Sequence, residues 1–485
     1  MAETKDKVIQ KSIYWSGLGE IGAKLIVPIS TMILAPILKP DDFGVIAICN
    51  MLVFFADIIT DAGFGKYIVQ ADFKDEKEKD CAANVAFWSH IILSLIIWIG
   101  IAANQTAIAT LLGGAEYAGV ITVASTQLII MSVISTQLGL LRRNFEFKKL
   151  FVVRVCTALV PLIVTVPLAI WLKTYWALVI GNICGYFVSA LILFALSTWY
   201  PRFYYSWHTF KRMFSFSFWS LCEGLANWMI FWFDTFIIAQ IYSSYYVGLY
   251  KNSTAMVMSI IGMITATMSP VLLAVMSRMK NDKELYSVFL HIEKLIMYIL
   301  FPMGVIMFFY RDLATLILFG GNWTEAADIV GVWTLMMMIS VVIYSFPAEA
   351  FKSQGIPKYL FLYQLIYLLC LIPICIYTSQ IGFWEFVYAR AAGIGIQLVL
   401  FFFFIKRYLH WDIKPFLVNL VQPSFAALSV VFLCLLIYRD NYSLFWCIAS
   451  GVLVFLLTLG IMYLFFRKNI LLSIHKIRKK EITMK

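Results

Sequence analysis

The sequence predicts an all-α, polytopic membrane protein with fourteen transmembrane helices, and three observations predict it. Of 485 residues, 62% are hydrophobic and only 13% charged, against roughly 45–50% and 25% in a soluble domain. The apolar residues gather in runs of about 20, the length of helix that crosses a bilayer core, and the runs tile the chain. Lysine and arginine alternate between successive connections, as loops sorted by a membrane potential do. No stretch of chain remains for a soluble catalytic domain.

Each run is bounded by charge or by turn-forming residues. The first, 12–38, follows the charged segment 1–11 and stops at Lys39-Pro40; the second, 43–65, lies between Asp42 and Lys66. Runs 81–103 and 118–141 are separated by Asn104 and the Gly113-Gly114 pair, and 118–141 ends at Arg142-Arg143. Runs 150–171 and 175–197 flank Lys173, and Pro201-Arg202 follows. Run 214–241 begins after Lys211-Arg212, 247–275 ends before Arg278, and 285–309 ends before Arg311. Runs 328–348 and 359–378 lie on either side of Lys352 and Lys358, and 385–405 stops at Lys406-Arg407. The last two, 417–438 and 444–466, flank Arg439 and end at Arg467-Lys468.

The termini and the even-numbered connections hold 29 of the 38 basic residues, the opposite connections only four. Basic residues resist transfer, so both termini are expected to be cytoplasmic. The net charge of +11 then reflects topology, with the basic tail 467–485 resting on anionic membrane lipids. No basic stretch sits in a soluble module, so no nucleic-acid partner is expected. The nine cysteines are scattered without a C-x-x-C pair and the five histidines lie far apart. Neither a disulfide framework nor a metal site follows, and no cofactor is expected. Residues 1–11 alternate in charge and do not read as a cleaved signal peptide.

The chain repeats weakly. A shift of 204 residues lays Leu34–Ile46 (LAPILKPDDFGVI) on Ile238–Tyr250 (IAQIYSSYYVGLY), matching Ala35 with Ala239, Ile37 with Ile241 and Gly44 with Gly248; Trp15-Ser16 meets Trp219-Ser220. A shift of 207 lays Gly113-Gly114 on Gly320-Gly321. Two parallel six-helix lobes are expected: 1–200 with helices 1–6, and 201–413 with helices 7–12. Helices 13 and 14 (414–466) and the tail 467–485 complete the chain. Parallel repeats of this kind bind substrate between the lobes and work by alternating access.

Five basic residues fall inside spans: Lys24, Arg154, Lys251, Lys294 and Arg390. An ionisable group at a helix centre costs about 2.5–3.5 kcal/mol on insertion scales, so it faces a cavity or a partner. Arg154 and Lys251 lie close enough to span ends to snorkel. Glu20 is one turn from Lys24, and Glu293 adjoins Lys294, so local neutralisation competes with a ligand role. Helix 2 carries Asn50, Phe54, Asp57 and Asp61 on one face, helix 7 repeats the spacing with Glu223, Asn227, Ile230 and Asp234, and helix 1 aligns Ser16, Glu20, Lys24 and Thr31. The substrate-cavity candidates are Lys24, Lys294, Arg390, Asn50 and Asn227. Glu20, Asp57, Asp61, Glu223 and Asp234 are the ion-coupling candidates. Cations suit a phosphate-bearing substrate, and carboxylates suit coupling to H+ or Na+; no catalytic or metal-ligating residue is expected.

Five segments carry a family resemblance: DAGFGKYIVQ (Asp61–Gln70), LLRRNFEFKKL (Leu140–Leu150), YWALVIGN (Tyr175–Asn182), VGLYKNS (Val247–Ser253) and MSPVLLAVMSRMKND (Met268–Asp282). Together they resemble the polysaccharide-export branch of the multidrug/oligosaccharidyl-lipid/polysaccharide exporter superfamily, most of all the colanic-acid and teichuronic-acid type of Wzx flippase. The resemblance implies a fourteen-helix transporter of the bacterial inner (plasma) membrane. It would turn undecaprenyl-diphosphate-linked oligosaccharide from the inner to the outer leaflet, beside polysaccharide polymerase machinery. It supplies no universal motif, so Lys24, Lys294 and Arg390 rest on span arithmetic. A MATE-like drug/cation antiporter and a lipid II flippase share the architecture. A membrane glycan polymerase or ligase would need more external chain than the roughly 18 residues from Tyr310 to Ala327. No P-loop or G-x-S-x-G elbow occurs.

Overall fold

The computed structural model describes residues 22–461 except 23, 27, 277, 278, 280, 357 and 439–443, together with residue 463. Glu20 and the tail 467–485 lie outside the described residues. Among those described there is no strand. Helical residues occupy each of the fourteen apolar runs, and eleven of the helices are long and apolar enough to cross a membrane. The chain is an all-helical, multi-span membrane protein, and it divides into two compact units, Met1–Asn252 and Ser253–Lys485.

The first unit contains α1 (Lys24–Leu34), α2 (Pro40–Asp61), the short α3 (Phe64–Gln70), α4 (Glu76–Ala103), α5 (Gln105–Leu111), α6 (Ala118–Ala124) and α7 (Gln127–Arg143). It continues through α8 (Phe147–Leu172), α9 (Trp176–Leu196), α10 (Trp207–Ile241) and the start of α11 (Ser244–Met276). Local chemistry sets the ends. Pro40 opens α2, where its missing N–H is not needed. Ala62 and Gly63 are both left-handed, which ends α2 four residues before the apolar run ends and lets α3 start as a separate helix. The Asp75 carboxylate caps α4 by accepting from the Glu78 N–H at 2.7 Å.

Small residues and aromatic rings decide how these helices pack. The α8–α9 hairpin closes on Gly181 and Gly185, four residues apart: a Cβ on Gly181 would overlap the Thr165 hydroxyl, and one on Gly185 would lie 2.5 Å from Pro161 Cγ. Such G-x-x-x-G spacing brings helix backbones together where lipid gives no hydrophobic drive to association. On α10, Trp228 packs on Phe55 with ring centroids 4.9 Å apart, and its indole N–H donates to the Met51 carbonyl at 3.0 Å. This contact holds α10 against α2 and accounts for the first unit running to Asn252. α10 also begins seven residues ahead of its apolar run, because Ser206 caps it through the Thr209 N–H.

The second unit holds the rest of α11, then α12 (Asp282–Phe309), α13 (Arg311–Phe319), α14 (Ala326–Ser340), α15 (Phe346–Ser353), α16 (Lys358–Ser379), α17 (Phe383–Ala392), α18 (Ile394–Phe404), α19 (Ile413–Ile437) and α20 (Leu444–Ile461). A wide π turn, Val341–Ser345, joins α14 to α15. Pro347 follows it, cannot donate to the preceding turn, and so relaxes the helix there.

The order of elements repeats. α4 and α12 are each 28 residues long and start 206 residues apart. Each is followed by a short helix (α5 or α13), a glycine pair and a single tight turn, Ala115–Tyr117 or Gly321–Trp323. Long helical segments then recur in step, α8 with α16 and α9 with α17 and α18.

Candidate functional site: a histidine between two carboxylates

In the first unit the polar face of α2 meets α4. Asp57 and Asp61, one turn apart on α2, both reach His90 of α4: Asp57 Oδ1 lies 3.7 Å from Nε2, and Asp61 Oδ1 lies 3.8 Å from Nδ1. The imidazole is 1% exposed, whereas the two carboxylates keep about a quarter of their side-chain surface open. Thr60, fully buried on the same turn of α2, places its hydroxyl 3.1 Å from Nε2 and donates to the Asp57 carbonyl at 3.1 Å. Ser135 of α7 donates to Asp61 Oδ1 at 2.6 Å. Nδ1 has no hydrogen-bond partner. The arrangement is an ionisable cluster with a sealed base behind two open acids, suited to holding a small cation or a proton.

A second group forms where α10 meets α3 and α4. Lys66 pairs with Glu223 at 2.9 Å, both side chains more than half exposed. Arg212 donates to the Tyr67 hydroxyl at 3.1 Å and to Glu78 at 2.7 Å. The Glu78 partner raises the Arg212 pKa further above its ordinary value. Along α10, the Asn227 amide donates to the Glu223 carbonyl of its own helix. Asp234 is buried and accepts from the Thr235 N–H and the Tyr250 hydroxyl, both at 2.8 Å. The Lys251 ammonium donates to the Phe231 carbonyl at 2.6 Å and sits 3.8 Å from the Trp232 ring centroid.

Of the residues singled out in the sequence, Asp57 and Asp61 converge on one cluster, and Glu223 joins another through Lys66. Asn50 and Lys24 are half-buried on α2 and α1, and Glu20 lies outside the described residues. In the second unit, Lys294 is half-buried on α12. Arg390 is 6% exposed, donates to the Tyr367 hydroxyl at 3.0 Å and lies 5.2 Å from the Trp333 ring centroid. Glu293 and Lys294 form no ion pair, because adjacent helical residues point about 100° apart. Glu293 is instead 1% exposed, and neither carboxylate oxygen has a hydrogen-bond partner among the described residues. No group of three His, Cys, Asp or Glu side chains fit to hold a metal occurs among the described residues.

His90 was not singled out in the sequence, yet a signal for it exists. Asp57 lies eight residues before the end of run 43–65, and His90 lies nine after the start of run 81–103. At 1.5 Å per residue both sit about 12–14 Å from the same membrane face, so a helical hairpin sets them side by side.

Comparison with known proteins follows the same lines. Residues 33–328 match the family described as "Polysaccharide biosynthesis protein". The succinoglycan biosynthesis transport protein ExoT of Rhizobium meliloti is 25% identical over 334 residues, 68% of this chain and 66% of that one, just under two thirds of its length. An uncharacterized membrane protein in the cps region of Klebsiella pneumoniae is 24% identical over 474 residues, 93% of this chain and 94% of that one. Among solved structures, the lipid II flippase MurJ in an inward closed conformation aligns with a TM-score of 0.75 at 16% identity. That alignment covers 92% of this chain and 98% of MurJ, and it shows a shared fold.

Proposed function

The chain belongs to the polysaccharide biosynthesis protein family, and we propose that it is a flippase for lipid-linked oligosaccharides rather than an enzyme. It moves undecaprenyl-diphosphate-linked glycan repeat units from the inner to the outer leaflet of a bacterial inner membrane, handing them to polysaccharide polymerase machinery. The observation that carries this reading is the family match over residues 33–328, supported by a relative that is itself a biosynthesis transport protein. The sequence resemblance to the polysaccharide-export branch of the exporter superfamily agrees with both.

The finer reading is fourteen spans with both termini cytoplasmic, arranged as two six-helix lobes, 1–200 and 201–413, with 414–466 and the tail 467–485 appended. The recurring helix order supports it. The lobes alternate between openings to the two sides. Lys24, Lys294, Arg390, Asn50 and Asn227 remain the candidates for the diphosphate and sugar, because amide donors and fixed cations suit phosphate oxygens. Coupling to H+ or Na+ would draw on Asp57, Asp61, Glu223, Asp234 and Glu20.

The test is mass spectrometry of lipid extracts from cells lacking the protein, with an assay of which leaflet holds any accumulated lipid-linked glycan. Build-up of complete repeat units on the cytoplasmic side, relieved by the wild-type gene, is expected. Lipid-linked sugars unchanged by the deletion would refute the proposal, and build-up of lipid II alone would reassign the cargo.

A further inference from the structure

We propose that His90 is the proton-carrying group of this transporter, loaded through Asp57 and Asp61. The coupling role rests on the flippase reading; the proton site itself does not. A neutral imidazole has one N–H, and His90 presents a carboxylate to each ring nitrogen, at 3.7 and 3.8 Å. Whichever nitrogen carries the hydrogen, the other turns a lone pair toward an anionic oxygen. Thr60 cannot resolve this, since it contacts only the Nε2 side. Ser135 cannot either, because its hydrogen goes to Asp61 Oδ1 and not to the ring. Nδ1, buried and unpartnered, is therefore the atom that takes the proton. A proton arriving on the Asp61 carboxyl passes to this lone pair: the Asp61 O–H bond breaks as the Nδ1–H bond forms, the carboxylate is restored, and an imidazolium stands between two carboxylates. Release is the reverse step.

The surroundings limit what else competes. From α2 the facing titratable groups are Asp57 and Asp61. From α9, Tyr186 interacts electrostatically with Asp57. α7 offers the Ser135 hydroxyl, while its Arg143 is held on the α3 carbonyls of Ile68 and Val69. Lys66 of α3 and Glu223 of α10 pair with each other, and Arg212 of α10 is held by Glu78 of α4. The ring is 1% exposed while the two carboxylates beside it keep about a quarter of their side-chain surface open, so they are the groups that can relay a proton to it.

The experiment uses full-length protein in lipid nanodiscs, 15N-labelled at its histidines. The His90 signal is assigned from His90→Gln, or by elimination with the other four histidines replaced singly if that variant does not fold. Nitrogen spectra are followed through a pH titration in KCl and then in NaCl. His90 is expected to pass from one N–H to two, with no effect of exchanging K+ for Na+. At the wild-type midpoint, the nearly isosteric Asp61→Asn should lower the ratio of two-N–H to one-N–H forms about tenfold, the effect of removing one opposite charge at this range. A ring that keeps one N–H throughout the range in which the protein stays folded overturns the proposal. So does displacement of the two-N–H form by Na+, which would make the cluster a sodium site. Neither result depends on glycan transport, so an unaltered lipid profile in deletion cells would sink the flippase reading and leave this one standing.

Discussion

The strongest mechanical prediction concerns the crossing of α2 and α11 at Gly44 and Gly248. A Cβ on Gly44 would overlap the Ser244 carbonyl oxygen and lie 2.7 Å from its carbon; one on Gly248 would overlap the Pro40 carbonyl oxygen and lie 2.7 Å from the Gly44 nitrogen. Each Cβ would lie 1.8 Å from a carbonyl oxygen, against roughly 3.4 Å or more for ordinary contact, so the helices must part by about 1.6 Å along that line. Every obstructing atom is backbone, which no rotamer change relieves. Forced expansion of a packed contact costs about 1–3 kcal/mol, offset by up to about 1 kcal/mol of helix propensity gained from glycine to alanine. Gly44→Ala or Gly248→Ala should therefore lose about 1–2 kcal/mol in equilibrium unfolding followed by tryptophan fluorescence in mixed micelles. The double variant should cost clearly less than the sum, because one separation admits both methyl groups. Gly100→Ala, with open space around its Cβ, is the control and should be neutral or stabilising. Single variants indistinguishable from wild type, or strictly additive losses, would refute a shared backbone contact.

Three further outcomes follow from the ion and aromatic contacts. Lys66→Glu and Glu223→Lys should each cost about 0.2–1 kcal/mol, the range of exposed pairs, and the double reversal should recover most of it in the same unfolding assay. Glu293→Met should raise stability by about 1–3 kcal/mol, because it removes a buried carboxylate with no partner; a more stable protein that no longer clears lipid-linked glycan would mark Glu293 as functional. Arg390→Lys should lose about 0.5–2 kcal/mol, since an ammonium reproduces neither the guanidinium's contact with the Trp333 ring nor its reach to the Tyr367 hydroxyl, and a stability equal to wild type would count against those contacts.

The all-helical, multi-span character, with eleven helices among the described residues long and apolar enough to cross a membrane, was legible because apolar runs of that length tile the sequence. Their ends were less so, since they depend on single residues: Ala62 and Gly63 stop α2, and Ser206 starts α10 within an aromatic, weakly apolar stretch. The short helices α3, α5 and α13 are less than half a span and leave no hydropathy signal. In the site, Asp57 and Asp61 were visible from helical spacing alone. His90 required knowing which helices pair, and that is a tertiary fact. Lys251 illustrates the same limit. Its distance from a span end suggests escape to water, and spacing along the helix gives no sign of the Trp232 ring and the Phe231 carbonyl that its ammonium also contacts.

The weakness of the internal repeat has a physical explanation in the same contacts. At most positions of a membrane helix any apolar residue of suitable volume serves, so two copies of a repeat are free to drift apart. Where backbone touches backbone, only a missing or minimal side chain fits. Gly44 and Gly248 are such a pair, each blocking the other's Cβ through a carbonyl four residues upstream, and the reciprocity requires glycine in both copies. Gly113, left-handed at φ 115°, would drive a Cβ into the Ala239 carbonyl; Gly320, its match, is also at positive φ, 76°. Ala239 and its own match Ala35 are both buried almost completely. The glycine and alanine identities at Gly44, Gly248, Gly113 and Ala239 thus fall where backbone meets backbone and leaves no alternative, whereas Ile241, 48% exposed, and Gly321, with open space around its Cβ, match their counterparts without such a constraint.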